Sequence, residues 1–200
     1  MLNLHVIVAS TRPGRAGPAV ADWALARASE HGAFHARKVD LAEVNLPLLD
    51  EPNHPRFADY KNAHTLEWSR TVDAGDAFLF VTPEYDYGMP ATLLNALQYL
   101  SREWAYKAVG FVSYGGVSGG TRSVQMAKQV VTALKMMPIP EAVAVPFFGQ
   151  YLAAGVFSPP ESHDKAAAMM LDELAKWATA LKPLRTKSPP APDLLASART

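Results

Sequence analysis

Ser113-Tyr114-Gly115-Gly116-Val117-Ser118-Gly119-Gly120 decides the fold: it closes the apolar run Ala108 to Ser113 and opens a stretch with Val124, Val130, Val131, Leu134 and Met137 at helical spacing. A short apolar run bounded by turn residues is how a strand buried on both faces reads, so the stretch is a strand, a glycine loop and a helix. Pro138 and Pro140 are expected to end that helix. Upstream the same unit recurs twice. Ala77 to Val81 leads into Thr82-Pro83-Glu84-Tyr85-Asp86-Tyr87-Gly88-Met89-Pro90, and Leu4 to Ala9 leads into Ser10-Thr11-Arg12-Pro13-Gly14-Arg15 and a helix whose first turn accepts Pro18. Ala142 to Val145 and a weaker run, Phe34 to Leu41, add two strands, and a stripe from Met170 to Leu181 marks a last helix from about His163. β-α repeated about five times predicts an α/β doubly wound parallel sheet with right-handed crossovers. Its three polar loops then lie at the carboxyl ends of successive strands, where open parallel sheets bind ligands.

The 200 residues, 49% hydrophobic, suit one compact domain over 1–181. Residues 42 to 60 form a polar, Pro-rich excursion, and the Pro-rich stretch 182–200 reads as a flexible tail able to dock on a partner subunit. Lys+Arg and Asp+Glu number 19 each, so no global field draws the chain to nucleic acid or an anionic membrane. Having no cysteine, it has no disulfide, thiolate nucleophile or Cys-ligated metal, and redox chemistry requires a bound cofactor. The histidines show no metal-ligand spacing, so no metal site is expected. Met1 leads into a short apolar run with no basic n-region or membrane-length segment, which predicts a cytoplasmic protein.

Chemically, the first loop offers backbone N–H groups, the hydroxyls of Ser10 and Thr11 and the guanidinium groups of Arg12 and Arg15 just before a helix. That combination suits one phosphate monoester. No Walker A lysine and no G-x-G-x-x-G is present, which argues against a nucleoside triphosphate or a Rossmann dinucleotide site. The second loop has stiff ends in Pro83 and Pro90, Gly88 where backbone can approach a ligand, and Tyr85 and Tyr87 as flat walls for a planar heterocycle. The four glycines of the third leave N–H groups uncovered, able to bond ring carbonyls.

Together with Asn95-Ala96, Glu103-Trp104 and Arg122, these three loops resemble the NADPH-dependent FMN reductase family over roughly residues 2 to 180. The resemblance implies a flavodoxin-like fold, a five-stranded sheet of order 2-1-3-4-5, FMN at the strand ends and NADPH or NADH as reductant. It further implies a homodimer or dimer of dimers, and acceptors such as flavins, quinones, azo dyes or metal oxyanions. Carried over by motif, Ser10, Arg12 and Arg15 would hold the FMN phosphate. Pro83, Glu84, Tyr85, Asp86, Tyr87 and Gly88 would edge the isoalloxazine, and Ser113, Gly115 and Gly116 would close its other side. Ala9, Asp86 and Leu94 stand where the family commonly has glycine, asparagine and lysine.

On this reading the flavin carries the chemistry and no side chain is an essential acid or base. Reductant and acceptor share one surface in turn, which gives ping-pong kinetics. The helix after Pro90, apolar on more than one side through Leu93, Leu94, Leu97 and Leu100, is expected to form the dimer contact. Two rival readings belong to other classes. A non-enzymatic flavin electron carrier finds little support in a net charge of zero. Gly116-Val117-Ser118-Gly119-Gly120 matches the G-x-S-x-G nucleophile elbow of esterases, with His163 the sole later histidine, but Ser118 lies five residues beyond the apparent strand end.

Overall fold

A computed structural model describes residues 1–185. Five strands, β1 (Leu2–Val8), β2 (Phe34–Asp40), β3 (Ala77–Pro83), β4 (Ala108–Tyr114) and β5 (Met137–Val145), form one parallel sheet in the order β2-β1-β3-β4-β5. The expected doubly wound sheet and its strand order are therefore present. Every residue of β3 and β4 is buried, as their uninterrupted apolar runs required of central strands. β2 lies at an edge and exposes His35, Arg37 and Lys38, which is why its run is the weakest in the sequence.

Strand alternation sends Leu4, Val6 and Val8 to one face and Ile7 to the other, which makes two cores. On the first face pack α1 (Gly17–Glu30) and α6 (Glu161–Leu181). The short α2 (Leu41–Val44) follows β2, and α3 (Ala63–Asp73), α4 (Ala91–Gln98) and α5 (Thr121–Ala133) cover the second face, where Trp68, Phe78, Phe80 and Trp104 stack edge to face. The excursion lies over α4: Asn95 donates Nδ2 to Pro47 O (2.7 Å) and accepts from Leu49 N–H (3.0 Å), and Tyr99 OH donates to Pro47 O (3.1 Å). One outer side of that largely apolar helix is thus covered within the chain.

Around Met137 the structure corrects the sequence reading. α5 stops at Ala133, and Met137, expected on the helix, opens β5, which contains both Pro138 and Pro140. The reason is the position of β5 at the sheet edge. Met137 N–H donates inward to Lys107 O (3.0 Å), so alternation turns the nitrogens of Pro138 and Pro140 to the free side, where no ladder bond is lost. After β5 come a 3₁₀ turn, Phe148–Tyr151, and a hairpin of β6 (Leu152–Ala153) and β7 (Val156–Phe157). Beyond α6, Lys182–Leu184 forms a 3₁₀ turn, and Arg185 donates to Asp76 (2.7 Å) and to Tyr106 O (3.2 Å). The remainder of the expected tail lies outside the described residues. No helix among them is long and apolar enough to cross a membrane.

Candidate functional site

The loops after β1, β3 and β4 lie side by side at the carboxyl ends of adjacent strands, as the sheet order dictates. In the first, Ala9 N–H pairs with Val81 O (3.0 Å) and Arg15 N–H turns back to Arg12 O (3.2 Å). Among the described residues, nothing accepts from the backbone N–H groups of Ser10, Thr11, Arg12 and Gly14, and α1 begins without a side-chain cap. An uncapped helix start beside free N–H groups is a cradle for an anion. Arg12 is exposed, and its one bond is to the carbonyl of Pro13 (3.2 Å). Arg15 is differently placed: its guanidinium pairs with Asp40 at the end of β2 (2.6 Å), while its buried Nε has no partner. Ser10 is fully buried, and its hydroxyl meets the Tyr114 hydroxyl at 3.3 Å. A Cβ on Gly17 would collide with Ser10 Oγ, so the glycine lets the helix start close over the loop.

The second loop folds back as a tight turn. Tyr85 N–H donates to Gly88 O (3.0 Å) and Gly88 N–H to Tyr85 O (2.8 Å), with Asp86 (φ 48°) and Tyr87 (φ 68°) both left-handed. That is the type I′ arrangement, which Asp tolerates and Tyr does not favour. The turn is anchored by Glu84, whose side chain is 5% exposed. Its carboxylate accepts from Ser118 Oγ (2.9 Å), from Arg122 N–H (3.1 Å) at the start of α5, and from the Arg122 guanidinium. Desolvation pushes the Glu84 carboxyl up, but the hydrogen bonds from Arg122 and Ser118 outweigh it and hold it below the usual range. The same guanidinium lies 3.8 Å over the ring of Tyr87, whose residue is 72% exposed.

In the third loop Ser113 Oγ donates to Gly119 O (2.8 Å) and is buried, so it shapes the loop and is not itself displayed. Gly120 (φ 83°) caps α5, and a Cβ there would stand 2.8 Å from Tyr114 N. Gly116 is exposed with nothing within 4 Å of a built Cβ, so a ligand can reach its backbone. Ser118 is committed to Glu84 and to Gly120 N–H (3.3 Å). His163 instead lies beside Tyr151, ring to ring at 5.8 Å.

The structure therefore brings the predicted residues of all three loops to one end of the sheet, with Arg12, Tyr85, Asp86, Tyr87 and Gly116 exposed and Ser10, Arg15, Glu84 and Ser113 bonded beneath or behind them. Sequence reasoning missed three supports. Asp40 holds Arg15, Tyr114 holds Ser10, and Thr92 donates to Ala9 O (2.6 Å) from the first turn of α4. Only Tyr114, a hydroxyl at a buried strand end, carried a sequence signal. Burial drives its phenol up to about 12, so it stays a protonated donor. These residues fit FMN: free N–H groups and Arg12 suit its phosphate, and the tyrosine turn and Gly116 backbone suit a flat ring.

A family model described as NADPH-dependent FMN reductase matches residues 2–150. An NAD(P)H-dependent FMN reductase of Schizosaccharomyces pombe is 37% identical over 159 residues, covering 78% of this chain and 79% of the relative. One of Saccharomyces cerevisiae is 34% identical over 147 residues, 68% of this chain and 76% of its own. Among solved structures, a flavoenzyme NAD(P)H:(acceptor) oxidoreductase from Paracoccus denitrificans superposes with a TM-score of 0.70 at 21% identity, over 90% of this chain and 98% of that one. Fold, loop constellation and family match converge: the chain belongs to the NADPH-dependent FMN reductase family and is an oxidoreductase working with FMN and NAD(P)H.

Proposed function

We propose that the protein oxidises NAD(P)H and reduces a small organic acceptor through FMN held at the three loops, in a ping-pong cycle. The observation that carries this reading is the cradle of unpartnered N–H groups after β1 set beside the aromatic turn after β3. When bound, FMN would take two electrons from NAD(P)H at N5 and pass them on, so that NAD(P)H, a proton and the oxidised acceptor become NAD(P)⁺ and the reduced acceptor.

The chain's residues bind and orient. The N–H groups of Ser10, Thr11, Arg12 and Gly14 and the Arg12 guanidinium would hold the phosphate, with Arg15 aligned behind them by Asp40 and Ser10 braced by Tyr114. Pro83, Glu84 and Gly88 fix the turn that presents Tyr85, Asp86 and Tyr87 to the ring edge. Ser113 sets the path of the third loop so that Gly116 would offer its N–H to the ring's other side, while Gly115, whose N–H donates to Val145 O (3.3 Å) and whose carbonyl accepts from Phe148 N–H (3.4 Å), ties the loop to the end of β5. One exposed surface then serves reductant and acceptor in turn. Initial rates over a grid of NADPH and quinone concentrations should give parallel double-reciprocal lines; intersecting lines, the sign of a ternary complex, would overturn the shared surface.

Cytoplasmic residence and a homodimer, itself able to pair further, complete the proposal. α4 with the excursion over it supplies a contact: Leu48, Leu49 and Phe57 are exposed there beside the half-buried Leu94. Sedimentation at micromolar concentration should show a dimer, and a monomer would remove this part of the proposal.

A further inference from the structure

Among the described residues, eight non-glycine residues adopt positive φ: Asn45, Ala58, Asp86, Tyr87, Tyr106, Lys135, Phe147 and Ala154. Bulky side chains are poorly suited to that region, and three of the eight are aromatic. Tyr106 has a return inside the chain: its N–H bonds to Lys135 O (2.9 Å), and the Lys135 ammonium lies 6.0 Å from its ring. Tyr87 is stacked by Arg122. Phe147 has none. Its side chain belongs to a residue 59% exposed, and among the described residues its ring makes no aromatic or cation–π contact.

The backbone at Phe147 is nevertheless firmly held. Its N–H donates to Gly116 O (3.0 Å), its carbonyl accepts from Gln150 N–H (3.0 Å), and Phe148 N–H reaches Gly115 O (3.4 Å). Next to it Phe148 packs edge to face on Tyr114 at 5.1 Å, the tyrosine that braces Ser10. Glycine or asparagine would satisfy all three bonds without strain, so the exposed phenyl ring is a cost with no reward among the described residues. Strain of that kind collects where a ligand supplies the missing contact.

Position shows which ligand. The order β3-β4-β5 sets the glycine loop between the tyrosine turn on one side and Phe147 on the other. With strands about 4.8 Å apart, the ends of β3 and β5 are separated by roughly 10 Å, about two ring-stacking distances. Val117, 76% exposed at the tip of the glycine loop, adds apolar surface, and the nearest guanidinium of that loop and helix, Arg122, is neutralised by Glu84. Resting on the FMN oxidoreductase reading, we propose that Phe147, with Val117, forms the β5-side wall against which a planar, uncharged, conjugated acceptor of the quinone class stacks.

Phe147→Gly removes the ring and relieves the strain, so the variant folds; Phe147→Tyr keeps an aromatic face. NADPH-driven rates are measured with a benzoquinone and with ferricyanide, a compact anion with no face to stack. In Phe147→Gly the ratio of the quinone KM to the ferricyanide KM rises about fivefold, the size of one stacking contact, and in Phe147→Tyr it stays at the wild-type value. An unchanged ratio in Phe147→Gly overturns the proposal, and a changed sedimentation coefficient alongside it reassigns the ring to a subunit contact. A wild-type protein that binds FMN but turns over neither acceptor overturns the oxidoreductase reading, and the acceptor wall with it.

Discussion

Asp86 stands where the resemblance to the family leads us to expect asparagine. It stands at the first central position of the type I′ turn with φ 48°, exposed beside Tyr87. A carboxylate there accepts a hydrogen bond from flavin N3–H but donates none, and its charge opposes extra electron density on a reduced ring. Asp86→Asn keeps a residue suited to left-handed backbone, so stability should change by less than about 0.5 kcal/mol. The midpoint potential of bound FMN should rise, as read by spectroelectrochemical titration; an unchanged potential removes Asp86 from the ring edge. That the three loops lie at the carboxyl ends of adjacent strands was legible from the strand, loop and helix order. How each one's bonds are spent was not, because the partners are remote in sequence: Arg15 with Asp40, Ser10 with Tyr114, Glu84 with Arg122.

Elements obey the same division between local signal and tertiary context. The glycine loop needs Gly120: its φ of 83° and the 2.8 Å approach of a built Cβ to Tyr114 N leave no room for a side chain. Gly120→Ala should destabilise the fold by about 2 kcal/mol in urea titration and weaken FMN binding, whereas Gly149→Ala, where a Cβ meets nothing within 4 Å, should do neither. β5 teaches the opposite lesson. Pro138 and Pro140 punctuate a helical spacing and read as its end, yet they belong to an edge strand, whose free side forgives the missing N–H groups. They also blunt that edge. Replacing both with valine should leave the melting temperature within a few degrees but promote concentration-dependent association in light scattering; a double variant that stays as dispersed as the parent contradicts the guarding role.

For the whole molecule, β-α alternation and the apolar runs of the central strands were enough to read the sheet, while β2 was faint because about half of it faces water. Charges buried far from the site were invisible. His5, 2% exposed at the base of β1, accepts from Arg37 Nε (2.8 Å), and burial, with Arg37 and Lys107 adding to it, lowers its pKa from 6.5 to about 4. Because the unfolded chain takes up the proton first, stability is complete above pH 6.5 and is lost progressively as pH falls from 6.5 to about 4. Denaturant titrations across that window should show the loss, and His5→Gln should flatten it; an equal slope in the variant assigns the pH dependence elsewhere.

The central claim, that the three loops make a flavin site which NAD(P)H reduces, is tested most directly by the visible absorbance spectrum of the protein with FMN, taken before and after NADPH is added without oxygen. The account predicts flavin bands that shift on binding and bleach with NADPH, with binding weakened in Arg12→Ala. A spectrum of FMN unperturbed by the protein, or bound FMN that NADPH leaves oxidised, would contradict it.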